Sequence, residues 1–149
     1  MKVLFVCLGN ICRSPTAEGL FRHHAQEAGL AVEVDSAGTS GWHDGDPPDR
    51  RSVAEAARRG IDLSWQRSRK LVADDFAVFD HVIAMDRANL ANIEAVRPPS
   101  ATANVALLLD YLPGQPLREV PDPYYHDGFD TVFDLIDEAT RAMVEALGR

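Results

Sequence analysis

Lys2-Val3-Leu4-Phe5-Val6-Cys7-Leu8-Gly9-Asn10-Ile11-Cys12-Arg13-Ser14-Pro15 is the stretch on which the fold turns. Lys2 to Val6 is a short apolar run that stops at Cys7, as a strand buried on both faces does. Cys7 to Arg13 is loop-like, with Gly and Asn. Ser14 followed by Pro15 reads as a helix start, a capping residue and then proline at the first helical position. Glu18 in the first turn suits the helix dipole. Ala17, Leu20, Phe21, His24, Ala25 and Ala28 recur at helical spacing, and Gly29 ends the helix. The opening is therefore strand, short loop, helix.

Outward from it the alternation repeats. Val32 to Asp35 is a short strand, and Ser36 to Pro48 a long surface loop. Arg51 to Arg59 is helical by composition and closed by Gly60. His81 to Met85 is a buried strand, after which Asp86 caps a helix that Pro98 ends. Val105 to Leu109 is a fourth apolar strand. Asp110 to Asp127 is a second long loop with four prolines. Phe129, Val132, Phe133, Ile136, Ala139, Met143, Val144 and Leu147 form the stripe of a last helix. Apolar strands alternating with amphipathic helices predict an α/β fold, a single domain over residues 1–149. Ligands of such sheets bind at the carboxyl ends of strands near a topological switch point, where the first strand delivers Cys7.

Composition bounds the function. The chain has 149 residues, 46% hydrophobic, which suffices for a core without disulfides or metal. Its net charge of -8 disfavours nucleic-acid binding, which needs a basic face. No run approaches the ~20 apolar residues of a membrane span, and no targeting segment is visible. The two cysteines, Cys7 and Cys12, form neither a disulfide framework nor, with scattered histidines, a zinc site. The expectation is a cytoplasmic protein, a monomer, with no metal or cofactor, no membrane and no nucleic-acid partner.

The loop carries chemistry. Unpaired N–H groups at a helix N-terminus bind anions, and Gly9 lets the backbone turn and aim amides inward. A cysteine in that field is favoured as the nucleophilic thiolate. Arg13 closes the loop with a planar fork that can hold two oxygens of one phosphate. The Ser14 hydroxyl is placed to donate to the thiolate, to cap the helix, or both. A cysteine at a strand end is also a common inert core residue; Arg13, Ser14 and Pro15 weigh toward the nucleophile. No Gly-x-x-x-x-Gly-Lys-Ser/Thr occurs, so ATP binding has no support. A phenolic leaving group needs a proton donor. Asp122, held between Pro121 and Pro123, is the best candidate, although such turns also occur without chemistry. Tyr124 and Tyr125 follow as wall or packing aromatics.

These residues resemble the low-molecular-weight protein tyrosine phosphatases. The loop Cys7 to Pro15, with Asp122-Pro123-Tyr124-Tyr125 late in the chain, carries the resemblance. Val34 to Trp42, Pro47-Pro48-Asp49 and Asp80 to Leu90 extend it nearly end to end. It implies a four-stranded parallel sheet with helices on both faces and no metal. It also implies hydrolysis of phosphotyrosine on protein substrates through a phosphocysteine intermediate, releasing inorganic phosphate. By matching position Cys7 is the nucleophile, Arg13 the clamp, and Asp122 the acid and then the base. Leu8, Gly9, Asn10, Ile11, Cys12 and Ser14 form the phosphate-binding loop; Asn10, Ser14 and Ser36 support it by hydrogen bonds. Trp42 and Tyr124 match aromatic walls, and Cys12 a cysteine that pairs reversibly with Cys7 under oxidants. One stretch departs: where the family often has Ser-His, this chain reads Ser64-Trp65-Gln66-Arg67-Ser68-Arg69.

Other readings are weighed by single residues. Arginine phosphatases resemble this loop but tend to carry Thr where Ile11 stands, and a branched apolar residue suits a planar ring better. Thioredoxin-coupled arsenate reductases need later cysteines, and none follows Cys12. Phosphocarriers lack the Arg13 and Asp122 equivalents, and a phosphate-binding module would not need Cys7. His23 and His24 read as solvent-facing and packing positions. His43 is a candidate for the pocket rim, and His126 for the surface. Arg50, Arg51, Arg58 and Arg59 read as a solvated helix face, or as a patch steering acidic partners.

Overall fold

A computed structural model describes residues 1–114, 116–126 and 128–148; the side chains of Tyr125 and His126 lie outside the described residues. Four strands form one parallel sheet: β1 Lys2–Cys7, β2 Glu33–Gly38, β3 His81–Ala84 and β4 Asn104–Leu107, in the order β2-β1-β3-β4. The helices are α1 Arg13–Glu27, α2 Arg50–Arg58, α3 Asp75–Val78, α4 Arg87–Val96, α5 Pro123–His126 and α6 Phe129–Leu147.

Alternation along β1 builds two cores. Val3, Phe5 and Cys7 point to one face, where α1, α2 and α6 cover them with Leu20, Phe21, Ala56, Ile136 and Met143. Leu4 and Val6 point to the other, against Phe76 and Ile93 of α3 and α4. Both faces are thus buried, which is why β1 reads as an unbroken apolar run. Phe5 and Phe21 meet edge to face with centroids 5.5 Å apart, locking α1 over β1. β2 and β3 flank β1 on opposite sides, so the chain reverses its winding at the end of β1, and the loop after Cys7 opens into that crevice.

Several boundaries differ from those read in the sequence. α1 begins at Arg13 with Cys12 at the N-cap, and no side chain caps it. Ser14 lies within the helix, and its hydroxyl turns back to Cys7 instead. Glu18 does not serve the helix dipole from the first turn; it is buried, bonded to Ser36 and Arg22. β2 runs on through Ser36–Gly38, residues assigned to a loop by their small polar character, because β1 supplies the ladder partners Phe5, Val6 and Cys7. β4 stops at Leu107, and Leu108–Tyr111 tighten into a 3-10 turn. The short α3 and α5 carry too few residues for a periodic signal. The ends of α1 and α2 fall as expected, with Gly29 and Gly60 at φ 69° and 82°. Asp86 caps α4, its Oδ1 accepting from the Asn89 amide at 2.7 Å.

Gly38, at the end of β2, lies under the Cys7 loop. A Cβ there would stand 2.9 Å from the Leu8 carbonyl oxygen and 3.2 Å from the Gly9 carbonyl carbon. Backbone atoms cannot swing aside. Gly38→Ala is therefore expected to cost about 1–3 kcal/mol, read by urea unfolding, and to weaken phosphate binding measured by inhibition.

Candidate active site

The loop from Cys7 to Arg13 is shaped by where its carbonyls go. Cys7 O accepts from the Thr39 amide at 2.9 Å, and Leu8 O from the Ser40 amide at 3.0 Å. Gly9 O accepts from Ser68 Oγ at 3.1 Å, and Ile11 O from the Asp49 amide at 2.8 Å. Cys12 O accepts from Thr16 inside α1. In a trans peptide the following N–H points opposite to the carbonyl. With the carbonyls tied outward, the amides of Leu8, Gly9, Asn10, Cys12 and Arg13 face the concave side, where the N-terminus of α1 adds its positive end. Such a concavity holds a tetrahedral oxyanion.

Asn10 makes the turn. Its φ is 56°, and it is the one non-glycine with positive φ among the described residues. Asparagine tolerates this region better than most residues, and its side chain locks it there. Asn10 Nδ2 donates to Ser14 Oγ at 2.8 Å and to Ser36 Oγ at 2.9 Å. Asn10 Oδ1 accepts from the Arg69 amide at 3.0 Å. The left-handed residue is thus Asn10 rather than Gly9. Gly9 answers a different need, since a Cβ there would come within 3.2 Å of the His43 ring. Beneath, Ser36 donates to Glu18 at 2.7 Å, and Arg22 closes the chain at 2.9 Å. Burial raises the Glu18 pKa against the pull of Ser36 and Arg22.

The stretch that lacks the family's histidine is accounted for here. Gln66 is buried and donates from Nε2 to the Pro15 carbonyl at 3.1 Å. A backbone amide, that of Arg69, meets Asn10, so the network does without an imidazole. Trp65 is exposed, its Nε1 donating to the Asp62 carbonyl.

Cys7, Leu8, Gly9, Ile11, Cys12, Arg13, Trp42, His43, Asp122 and Tyr124 line one pocket. Asn10 and Ser14, counted with the phosphate-binding loop, instead sit behind it, where Ser14 Oγ lies 3.0 Å from Cys7 Sγ. His43 stands at the rim, its ring edge toward Tyr124 with centroids 6.4 Å apart. Trp42 is 74% exposed, so a planar substrate group entering the pocket has its face available.

Arg13 is buried and held from two directions. Nη1 donates to Asp86 Oδ2 at 2.7 Å and to the Val120 carbonyl at 2.9 Å; Nη2 lies 3.5 Å from Asp122 Oδ2. Burial opposes its charge, but the Cys7 sulfur, Asp86 and Asp122 outweigh that and raise its pKa. Asp86 was legible only as a helix cap. Its second oxygen aims Arg13, a role with no local signal because the two residues lie 73 positions apart. Val120 O is a second such partner. The basic cluster is mostly neutralised: Arg58 and Arg59 pair with Glu55, and Arg59 also with Asp134. Arg51 pairs with Asp49 and reaches the pocket rim over Tyr124.

A doubly wound sheet that ends its first strand on a cysteine, a ring of inward amides and a buried arginine defines a protein built to bind phosphate. Comparison with known proteins agrees. Residues 2–149 match the family model described as low molecular weight phosphotyrosine protein phosphatase. The chain is similar to the low molecular weight phosphotyrosine protein phosphatase of Schizosaccharomyces pombe, 44% identical over 92% of this chain and 91% of the relative. The crystal structure of YfkJ from Bacillus subtilis superposes with a TM-score of 0.95 at 39% identity, covering 99% of this chain and 94% of that one. That of DARP, a drosophila arginine phosphatase, gives 0.93 at 33% identity, covering 100% and 99%. The chain belongs to the low molecular weight phosphotyrosine protein phosphatase family, hydrolases that work through a phosphocysteine intermediate. No helix among the described residues is long and apolar enough to cross a membrane.

Cys12 is buried at the wall of the pocket. Burial first, then Asp49, Cys7 and Asp122, push its thiol pKa up to about 12, although Ser52 pulls the other way. It therefore stays protonated, and iodoacetamide at pH 7–8 should leave it unmodified until the protein unfolds, as read by mass spectrometry. The folded state keeps a proton that the unfolded chain loses near pH 9. The resulting stabilisation is complete below that pH and is lost as pH climbs toward 12. Cys12→Ala should flatten this alkaline limb of the stability profile.

Proposed function

We propose that Cys7, Arg13 and Asp122 hydrolyse phosphotyrosine on protein substrates in two steps. The observation that carries this is their convergence on one pocket from the ends of the chain, with Arg13 Nη2 3.5 Å from Asp122 Oδ2. In the first step the Cys7 thiolate attacks phosphorus and the bond to the phenolic oxygen breaks. Asp122 gives its proton to that oxygen, and phosphocysteine forms. In the second, Asp122, now a carboxylate, takes a proton from water whose oxygen attacks phosphorus. The sulfur–phosphorus bond breaks, and thiolate and inorganic phosphate are released.

Each neighbour has a part. Inward amides and the Arg13 fork carry the charge of the equatorial oxygens in both steps. The Ser14 hydroxyl, 3.0 Å from Cys7, stabilises the leaving thiolate by donating to it. Trp42 and Tyr124 flank the phenyl ring, with Ile11 packing on its path. Pro121 and Pro123 restrict the backbone of Asp122, whose Oδ1 also accepts from the Tyr124 amide at 3.0 Å. The setting we propose is the cytoplasm, with the protein a monomer; both thiols are free and buried, and oxidation of Cys7 by an external oxidant lets the otherwise protonated Cys12 pair with it reversibly.

Cys7→Ser should abolish turnover while phosphate still binds. Arg13→Lys should lose most activity, because a point charge replaces a fork. For Asp122→Asn the loss should reach about 10²–10⁴ in kcat on phenyl phosphates of high leaving-group pKa, and stay small on activated esters. Equal loss on both series would remove Asp122 as the acid. Phosphate release from matched phosphotyrosine and phosphoarginine peptides should favour phosphotyrosine, and Ile11→Thr should narrow that preference.

A further inference from the structure

The far end of α1 carries a cluster that phosphate chemistry does not use. His24 is buried, and its Nε2 lies 2.7 Å from Asp137 Oδ1 on α6. An ionised carboxylate only accepts, so Nε2 carries the proton and the lone pair of a neutral ring sits on Nδ1. That Nδ1 is buried and has no hydrogen-bond partner among the described residues. Leaving such an acceptor unsatisfied is costly and calls for a partner from outside the chain, a water or an ion. Glu27 Oε1 lies 3.9 Å from it. The same Oε1 lies 3.1 Å from His23 Nε2. One donor atom from each of His23, His24 and Glu27 falls within 4.8 Å of the others.

We propose that His23, His24 and Glu27 form a site for a divalent transition metal of the Zn²⁺ class, with water as its fourth ligand. Tetrahedral coordination at about 2.0–2.1 Å sets donor atoms about 3.3 Å apart; Glu27 Oε1 stands 3.1 and 3.9 Å from the two imidazole nitrogens, and with all three donors within 4.8 Å a rotation of the exposed His23 ring closes the set. Two imidazoles and one carboxylate suit Zn²⁺ better than Mg²⁺ or Ca²⁺, which prefer oxygen alone. Asp137 supplies the outer carboxylate that fixes the tautomer and orientation of a metal-bound histidine. The site lies at the C-terminal, negative end of α1, where a cation is favoured. Arg141, 3.7 Å from Asp137, and Arg59, which lines the same cavity as His23 and His24, are opposing charges nearby. His24 lies about 16 Å along the helix from Arg13, so the metal acts on stability by tying α1 to α6 through Asp137, not on the chemistry at Cys7.

The test is Zn²⁺ titration by calorimetry on the tag-free full chain carrying Cys7→Ser, which removes the pocket thiol as a competing ligand. One Zn²⁺ per chain should bind with micromolar Kd and raise Tm, and Co²⁺ should give the visible bands of a tetrahedral site. His23→Gln and Glu27→Gln change exposed side chains, so both variants should fold; each should weaken Zn²⁺ binding at least tenfold. Asp137→Asn should weaken it about 10–100-fold. No binding by millimolar Zn²⁺, or less than a tenfold change in either His23→Gln or Glu27→Gln, would overturn the site. Neither outcome bears on phosphotyrosine hydrolysis, which is read on the wild-type chain.

Discussion

The rest of the site depends on one residue held in an unfavourable backbone conformation. Asn10 sits in the left-handed region, a state that costs of order 1–3 kcal/mol without support. Support comes from its own amide group, which satisfies Ser14, Ser36 and the Arg69 amide together. These partners come from α1, β2 and the segment after α2. The turn therefore exists only when three separate pieces of the fold are in place. Once made, it presents the amides to one side and sets Ser14 against Cys7.

A second constraint runs across the pocket. A buried guanidinium is tolerable only when its donors are met. Asp86 and Val120 O meet Nη1 from behind, while Nη2 faces Asp122. Asp86 divides its two oxygens between capping α4 and aiming Arg13. Packing of α4 against the sheet is thereby coupled to the orientation of the Arg13 guanidinium. The Val120 amide, bonded to Met85 O at 2.9 Å, anchors the proline-rich loop to the end of β3. That loop brings Asp122 over the pocket.

How legible each part was follows from the range of the interaction behind it. β1 and β3 were readable as short apolar runs, α4 from the Asp86 cap and the proline that ends it, and α6 from its apolar stripe, all of them local signals. The tail of β2, Ser36–Gly38, was not, since small polar residues take strand geometry there only because β1 offers a ladder. Ser14 looked like a helix cap because Ser-Pro commonly is one; the competing pull of Cys7 and Asn10 moved its hydroxyl elsewhere. Glu18 looked like a dipole partner for the same reason, and Ser36 claimed it instead. Cys7, Arg13 and Asp122 stood out because each combines reactive chemistry with unusual neighbours. Asp86, Gly38 and Gln66 carried no such mark.

By itself, the sequence determined the class of fold, the order of its elements and the chemistry available, because apolar period, glycine and proline placement and residue type are local properties. The cysteine, the arginine and the proline-held aspartate were all readable as reactive candidates. Tertiary structure alone decided what faces what: Arg13 against Asp86 and Val120, Asn10 against Arg69, Gly38 under Leu8, and His24 against Asp137. Each of these joins residues far apart in the chain. Their geometry follows from the packing of helices on a sheet, a constraint no local stretch of residues encodes.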